Sequence, residues 1–177
     1  MVSLSSAAED ALNRLVATQT LLVDELERVD RPGLYAWWGV LPLPASVPTP
    51  AKDLPLYLGK AASETLGERA RLFHLGRTRG SALRRTLAAV LVHELGLAPH
   101  VLVDARSWGL RPIGEERLTS WMRQHLAVTW VELDDPGDVE KELISHLLPP
   151  LNDKHASGSP FRVELRELRQ QMHSATD

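Results

Sequence analysis

The 177-residue chain contains no cysteine, which excludes disulfides and any thiolate-held metal. It has no apolar run near the roughly 20 residues of a membrane-spanning helix. Its opening stretch, MVSLSSAAEDALNRL, lacks the basic start and apolar core of a secretory leader, so a cytoplasmic setting is expected. Net charge is −3, which argues against a generally basic nucleic-acid coat and leaves room only for a local basic patch. Aromatic residues are scarce, with only two tyrosines, Tyr35 and Tyr57. Each sits in a short apolar run beside a glycine, in PGLYAWWGV and LPLYLGKA.

What is present suffices for one domain, since apolar residues make up 44% of the chain. Residues 6–29 carry Leu12, Leu15, Val16, Leu22, Val23 and Leu26 at helical spacing. Gly33–Val40 and Leu54–Ala61 read as strands, joined by a segment whose four prolines forbid helix or central strand. Helices are expected at 66–75, at Ser81–Leu95 with Ser81 as cap and Gly96 as stop, and at Glu115–Leu126. AVTWVEL reads as a third strand. DDPGDVEKELISHLL starts a helix with Asp135 as cap and Pro136 in its first turn, and a last helix spans about Phe161–Met172. The order implies an α+β fold with a small sheet carrying helices. An N-terminal helical extension covers 1–30, a core 31–155, and a C-terminal helix within 156–177 packs on that core.

Two charged residues fall where apolar ones are expected. At about 100° per residue, Glu140 lies within the arc of Leu143, Ile144, Leu147 and Leu148, whereas Glu142 faces away. A carboxylate there must be paired, hydrogen-bonded or metal-bound. A buried salt bridge and a helix-start carboxylate are the plain alternatives to a functional role. By the same construction Arg69 flanks the apolar face of its helix and Arg71 points away. Arginine stems often lie on apolar surface with the head in water, so Arg69 has a plain reading too. If the first two strands pair antiparallel with apolar faces matched, Tyr35 and Tyr57 share one side of the sheet. Residues 60–85 hold seven basic residues, Lys60, Arg69, Arg71, Arg77, Arg79, Arg84 and Arg85, against two acidic ones.

Together these residues resemble the GIY-YIG nuclease family. Gly33-Leu34-Tyr35 stands where that family has GIY, and Tyr57-Leu58-Gly59 where it has YIG. Leu66-Gly67-Glu68-Arg69 matches the family's arginine, and Glu140 followed by Pro149 and Asn152 matches its glutamate and Pro-x-x-Asn segment. The likeness spans about Pro32–Asp153. Leucine replaces isoleucine in both tripeptides, the proline-rich loop is long, and two extra residues precede the arginine's helix, which leaves Arg71 as an alternative to Arg69. The family often has Tyr or His one turn after the arginine; here Phe73 stands there, with His74 next to it.

The resemblance implies a small three-stranded antiparallel sheet flanked by helices, with an N-terminal helix, and a divalent-cation-dependent endonuclease using Mg²⁺. Glu140 would bind the metal, Arg69 would clamp phosphoryl oxygens, and Tyr35 would act as general base or position water, with Lys60 or the field of the metal favouring its phenolate. Tyr57 would orient water or phosphate, and Asn152 would position substrate or brace the site. Lys60, Arg71, Arg77, Arg79, Arg84 and Arg85 would meet nucleic-acid backbone. DNA is the expected partner, with RNA left open and no membrane. The rival readings are a nucleic-acid-binding module with this fold and no cleavage, and a plain interaction domain whose N-terminal helix offers a dimer surface.

Overall fold

The computed structural model of the protein describes residues 3–17, 26, 28–39, 54–101 and 108–175. The chain runs through α1 (Ser6–Ala17), β1 (Gly33–Gly39), β2 (Tyr57–Ala61), α2 (Leu66–Arg69) with a π-helical turn (Ala70–His74), a 3₁₀ turn (Thr78–Gly80) and α3 (Ala82–Val90). It continues through β3 (Pro99–Val101), β4 (Trp108–Leu110), α4 (Pro112–His125), β5 (Leu126–Glu132), α5 (Gly137–Leu147) and α6 (Arg162–Ser174). Most of the second half of the expected first helix, and the proline-rich segment, lie outside the described residues.

The main sheet has the order β2-β1-β5, antiparallel throughout. Its register pairs Tyr35 with Gly59 and Trp37 with Tyr57, so alternation puts all four on one face. That face is covered by α2, α3, α4 and α6 through Leu66, Leu83, Leu87, Leu118, Met122 and Leu165. The other face presents Leu34, Ala36, Leu58 and Val131 to Ala8, Ala11 and Leu15 of α1 and to Leu143 and Ile144 of α5. The described part of the N-terminal helix buries Ala8, Ala11 and Leu15 inside the chain and leaves Val16 exposed. β3 and β4 form a separate two-stranded ribbon that the sequence did not announce, because three residues each are too few to display a period of two.

Local chemistry accounts for the element ends. Thr65 and Glu68 close a capping box on α2, with bonds of 3.1 and 3.0 Å. Ser81 caps α3 as expected, through its Oγ and the Arg84 amide. The helix ends earlier than its pattern suggests, at Val90, and Gly96 takes a left-handed φ of 56° after a run of turns. α5 begins one residue later than read, with Pro136 at the cap. Glu142 is not idle on its outer side: it accepts hydrogen bonds from Ser5 N (2.5 Å) and Oγ (2.7 Å), tying α5 to the start of α1.

Two glycines of the tripeptides are explained by close approach. A Cβ on Gly33 would strike the Val131 carbonyl of the neighbouring strand. A Cβ on Gly59 would lie 2.6 Å from Cζ of Tyr35 and closer still to its hydroxyl. Gly59→Ala is therefore expected to cost about 1–3 kcal/mol in urea unfolding, the range of overpacked cores. An unchanged midpoint would mean that Tyr35 does not lie over this glycine.

Candidate active site

A cavity of about 320 Å³ opens at the edge strand β2. Tyr35, Tyr57, Lys60, Glu64, Arg69, Glu140 and Asn152 all line it. The tyrosines come from one sheet face. Lys60, alternating with Gly59 and Ala61, comes from the other, where α5 supplies Glu140. The site therefore wraps around the β2 edge.

Tyr35 is 1% exposed, and its ring lies 6.4 Å from that of Tyr57, nearly parallel at 26°. A buried hydroxyl needs partners. His74 Nε2 is 2.6 Å from the Tyr35 oxygen, and Arg69 also hydrogen-bonds it. Burial, reinforced by Tyr57, pushes the Tyr35 phenol well above its ordinary value, while Arg69 pulls the other way. Tyr57 is pushed up to about 12 by burial, against the pull of Arg69. Both are phenols at neutral pH. Arginine can only donate, which leaves the Tyr35 hydrogen for His74 Nε2, and this is the tautomer we take. His74 Nδ1 then carries the ring hydrogen and donates to Ser81 Oγ at 3.0 Å. Burial, with Arg69 and Arg84 nearby, lowers His74 to about 3, so the imidazole is neutral.

The π turn explains how His74 arrives there. The Leu75 amide bonds the Ala70 carbonyl five residues back, at 2.9 Å, so this turn holds one residue more than an α turn. The residue five places after Arg69 thereby takes the place that an unbroken α-helix gives to the fourth. The family's position one turn after the arginine falls on Phe73 and left His74 as a neighbour; the extra residue in the turn is the signal the sequence lacked. Ser81 was read as a helix cap, which it is, and it serves His74 with the same oxygen. Glu64, which accepts from Arg69 at 3.0 Å, also went unnoticed.

The remaining expected residues sort by position. Arg69 faces the cavity, whereas Arg71 is exposed and does not line it. Lys60 does not serve Tyr35: its Nζ lies 3.2 Å from Glu140 Oε2, and Arg69 is the cation at the phenol. The Asn152 side chain accepts from Leu58 N (2.9 Å) and donates to Leu58 O (2.8 Å), which satisfies both backbone groups of the edge strand. Of the two roles left open for Asn152, bracing is the one its geometry performs. Arg77 and Arg79 border a separate hollow with Gly109, Leu110 and Glu115.

Arg84 corrects the basic-patch reading. It is fully buried and bonds Glu115 Oε2 (2.7 Å), Thr119 Oγ1 (2.9 Å) and the His74 carbonyl (3.0 Å). No external phosphate can reach it. Glu115 in turn accepts from Thr78 N and Oγ1 at 2.9 and 2.7 Å. This ion pair ties α3, α4, the 3₁₀ turn and the end of the π turn together.

The metal implied by the resemblance can be tested against the donors. Among the described residues, no cluster of three or more His, Asp or Glu could hold an ion unaided. Two partly exposed carboxylates open on the cavity, Glu64, which is held by Arg69, and Glu140, which has the Lys60 ammonium beside it, so a positive charge already stands against the Glu140 oxygen. Such a donor set suits Mg²⁺, which keeps its waters and binds through one or two carboxylates plus a substrate phosphate. The residues fit the ion.

A three-stranded antiparallel sheet with two tyrosines, an arginine and a glutamate gathered at its edge defines a nuclease-type fold. The family model of the GIY-YIG catalytic domain matches residues 33–171, well over half of the chain, and the protein belongs to that family. No curated protein and no solved structure matches it. Members of the family are generally endonucleases that use divalent metal ions, so the domain implies a nucleic-acid substrate. No helix among the described residues is long and apolar enough to cross a membrane.

Removing one partner of the buried ion pair should be costly. Arg84→Gln is expected to lose about 3–5 kcal/mol of unfolding free energy, because it strands Glu115. The exposed Arg77→Gln should stay within about 0.5 kcal/mol. Equal, small losses in urea unfolding would place Arg84 on the surface.

Proposed function

We propose that the protein is a Mg²⁺-dependent endonuclease that hydrolyses phosphodiester bonds in DNA. The observation that carries this reading is the Tyr35–His74 hydrogen bond beside Arg69, behind the wall of a cavity that Tyr35, Arg69 and Glu140 line. Arg69 would hold the phosphoryl oxygens, a task suited to a planar and permanently charged group. Glu140 would hold the ion, which would supply charge neutralisation for the phosphoryl group.

The phenol of Tyr35 keeps its own proton, so it cannot serve as a ready-made base. It can accept one from the attacking water as it passes its own to His74 Nε2. The water oxygen then bonds to phosphorus, the bond to the leaving oxygen breaks, and that oxygen takes up a proton from solvent. His74 becomes an imidazolium whose Nδ1–H is already directed at Ser81. The charge building on the phosphoryl group offsets the cost of that cation beside Arg69 and Arg84. Tyr57, stacked on Tyr35, would orient water or phosphate.

The rival reading, a nucleic-acid-binding module without cleavage, draws support from the Tyr35 hydroxyl, which is almost fully buried and already engaged by Arg69 and His74. Both readings are tested by one experiment, incubation with plasmid and branched DNAs in Mg²⁺ or in EDTA. Cleavage is expected only with Mg²⁺. Tyr35→Phe should reduce it about 10²–10⁴-fold, the span of a lost proton-transfer group. Arg69→Ala should slow it far more than Arg71→Ala. Glu140→Gln should abolish it yet change stability by only about 0–1 kcal/mol, because Lys60 is partly exposed and would not be stranded. Binding without cleavage in the wild type would favour the rival.

A further inference from the structure

A second and larger hollow, about 540 Å³, lies between α3 and α6. Arg85 comes from α3, and Arg166, Arg169 and His173 come from successive turns of α6. Asp153 is the one carboxylate on its wall. It accepts from Arg166 Nε at 2.8 Å and lies 3.7 Å from Arg169. It also accepts from Arg162 Nε at 2.9 Å, but Arg162 lies outside the hollow. Three guanidinium groups thus face one carboxylate, in a chain whose net charge is −3. Arg85 and Arg169 repel each other here: burial and then Arg169 lower the Arg85 guanidinium. An arrangement of like charges on a concave wall is relieved by an anion, and the single carboxylate is too little to do it.

The hollow adjoins the catalytic cavity. Residues 152–155 form the partition, with Asn152, Lys154 and His155 facing the cavity and Asp153 facing the hollow. Arg85 and Arg169 both act electrostatically on Tyr57 across it. These two arginines of the hollow are thus within electrostatic reach of the cavity.

We infer that the α3–α6 groove is a phosphate track that carries the nucleic-acid backbone onward from the catalytic cavity, with Arg85, Arg166 and Arg169 as its contacts. This rests on the nuclease reading above and gives the C-terminal helix a substrate-binding role in addition to its packing. Asp153 holds Arg166 and Arg169 in place, so that little side-chain freedom is lost when a phosphate arrives.

The test is fluorescence anisotropy of a labelled duplex DNA with a single-stranded overhang, in EDTA, across a salt series. Wild type is compared with the double variant Arg166→Gln/Arg169→Gln, its lysine counterpart, and Arg162→Gln. The glutamine pair should bind about tenfold more weakly at moderate salt, and its slope of log affinity against log salt should be shallower by about 1.4–1.8 for two lost phosphate contacts. The lysine pair should keep most of the slope. Arg162→Gln, which loses the same bond to Asp153 outside the groove, should match wild type. Equal affinity and slope in the glutamine pair would overturn the groove alone. An equal loss in Arg162→Gln would also overturn it, since the effect would then run through Asp153. If wild type binds no DNA, both the groove and the nuclease reading fall.

Discussion

The site depends on the hydroxyl of a side chain that is 1% exposed and borders the cavity. Tyr35 lies in the middle strand of the sheet, on the face packed with helices, so its polar tip must be satisfied from within. Its acceptor is His74. To bring His74 there the chain adds one residue to the turn after α2, and to hold it there Ser81 takes its second nitrogen while Arg84 takes its carbonyl. Gly59 is required beneath the same ring. The buried Arg84–Glu115 pair, which does not line the cavity, then reads as the anchor of the turn that carries His74.

The edge strand poses the second constraint. β2 has β1 on one side only, and an unpaired strand edge leaves backbone groups unmet. The Asn152 amide fills that position for Leu58 and, in doing so, fixes the partition between the cavity and the arginine-lined groove. Glu140 and Lys60 meet across the same edge from the opposite sheet face. Stability and chemistry share these residues, since the groups that close the edge also form the walls of the cavity.

Much of this was legible from the chain. The shared face of Tyr35 and Tyr57 follows from alternation, which is local and strict. The positions of Arg69 and Glu140 follow from helical phase, which holds while the helix is regular. His74 was not legible because the π turn breaks that phase after Arg69. Arg84 was misread because charge composition does not record burial; an arginine paired with Glu115, thirty-one residues later in the chain, looks in sequence like its exposed neighbours. The role of Asn152 was one of two open choices, because a side chain that mimics a strand leaves no pattern. Lys60 does not reach Tyr35 because its register partner on β1 is Leu34, which puts it on the opposite face of the sheet.

The central claim is that His74 is a buried neutral imidazole bound to the Tyr35 hydroxyl. A histidine whose folded value lies below its unfolded one stabilises the fold fully above about pH 6.5, and that stabilisation is lost as pH falls towards the folded value. The direct measurement is a pH titration of the imidazole ¹⁵N resonances in selectively labelled protein. The account predicts that the His74 signals hold a single neutral tautomer, with the hydrogen on Nδ1, through pH 6.5 and well below it, charging only near 3 or when the fold is lost. In Tyr35→Phe the Nε2 resonance should move, because its hydrogen-bond donor is gone. Charging near pH 6.5, with no response to Tyr35→Phe, would contradict the account.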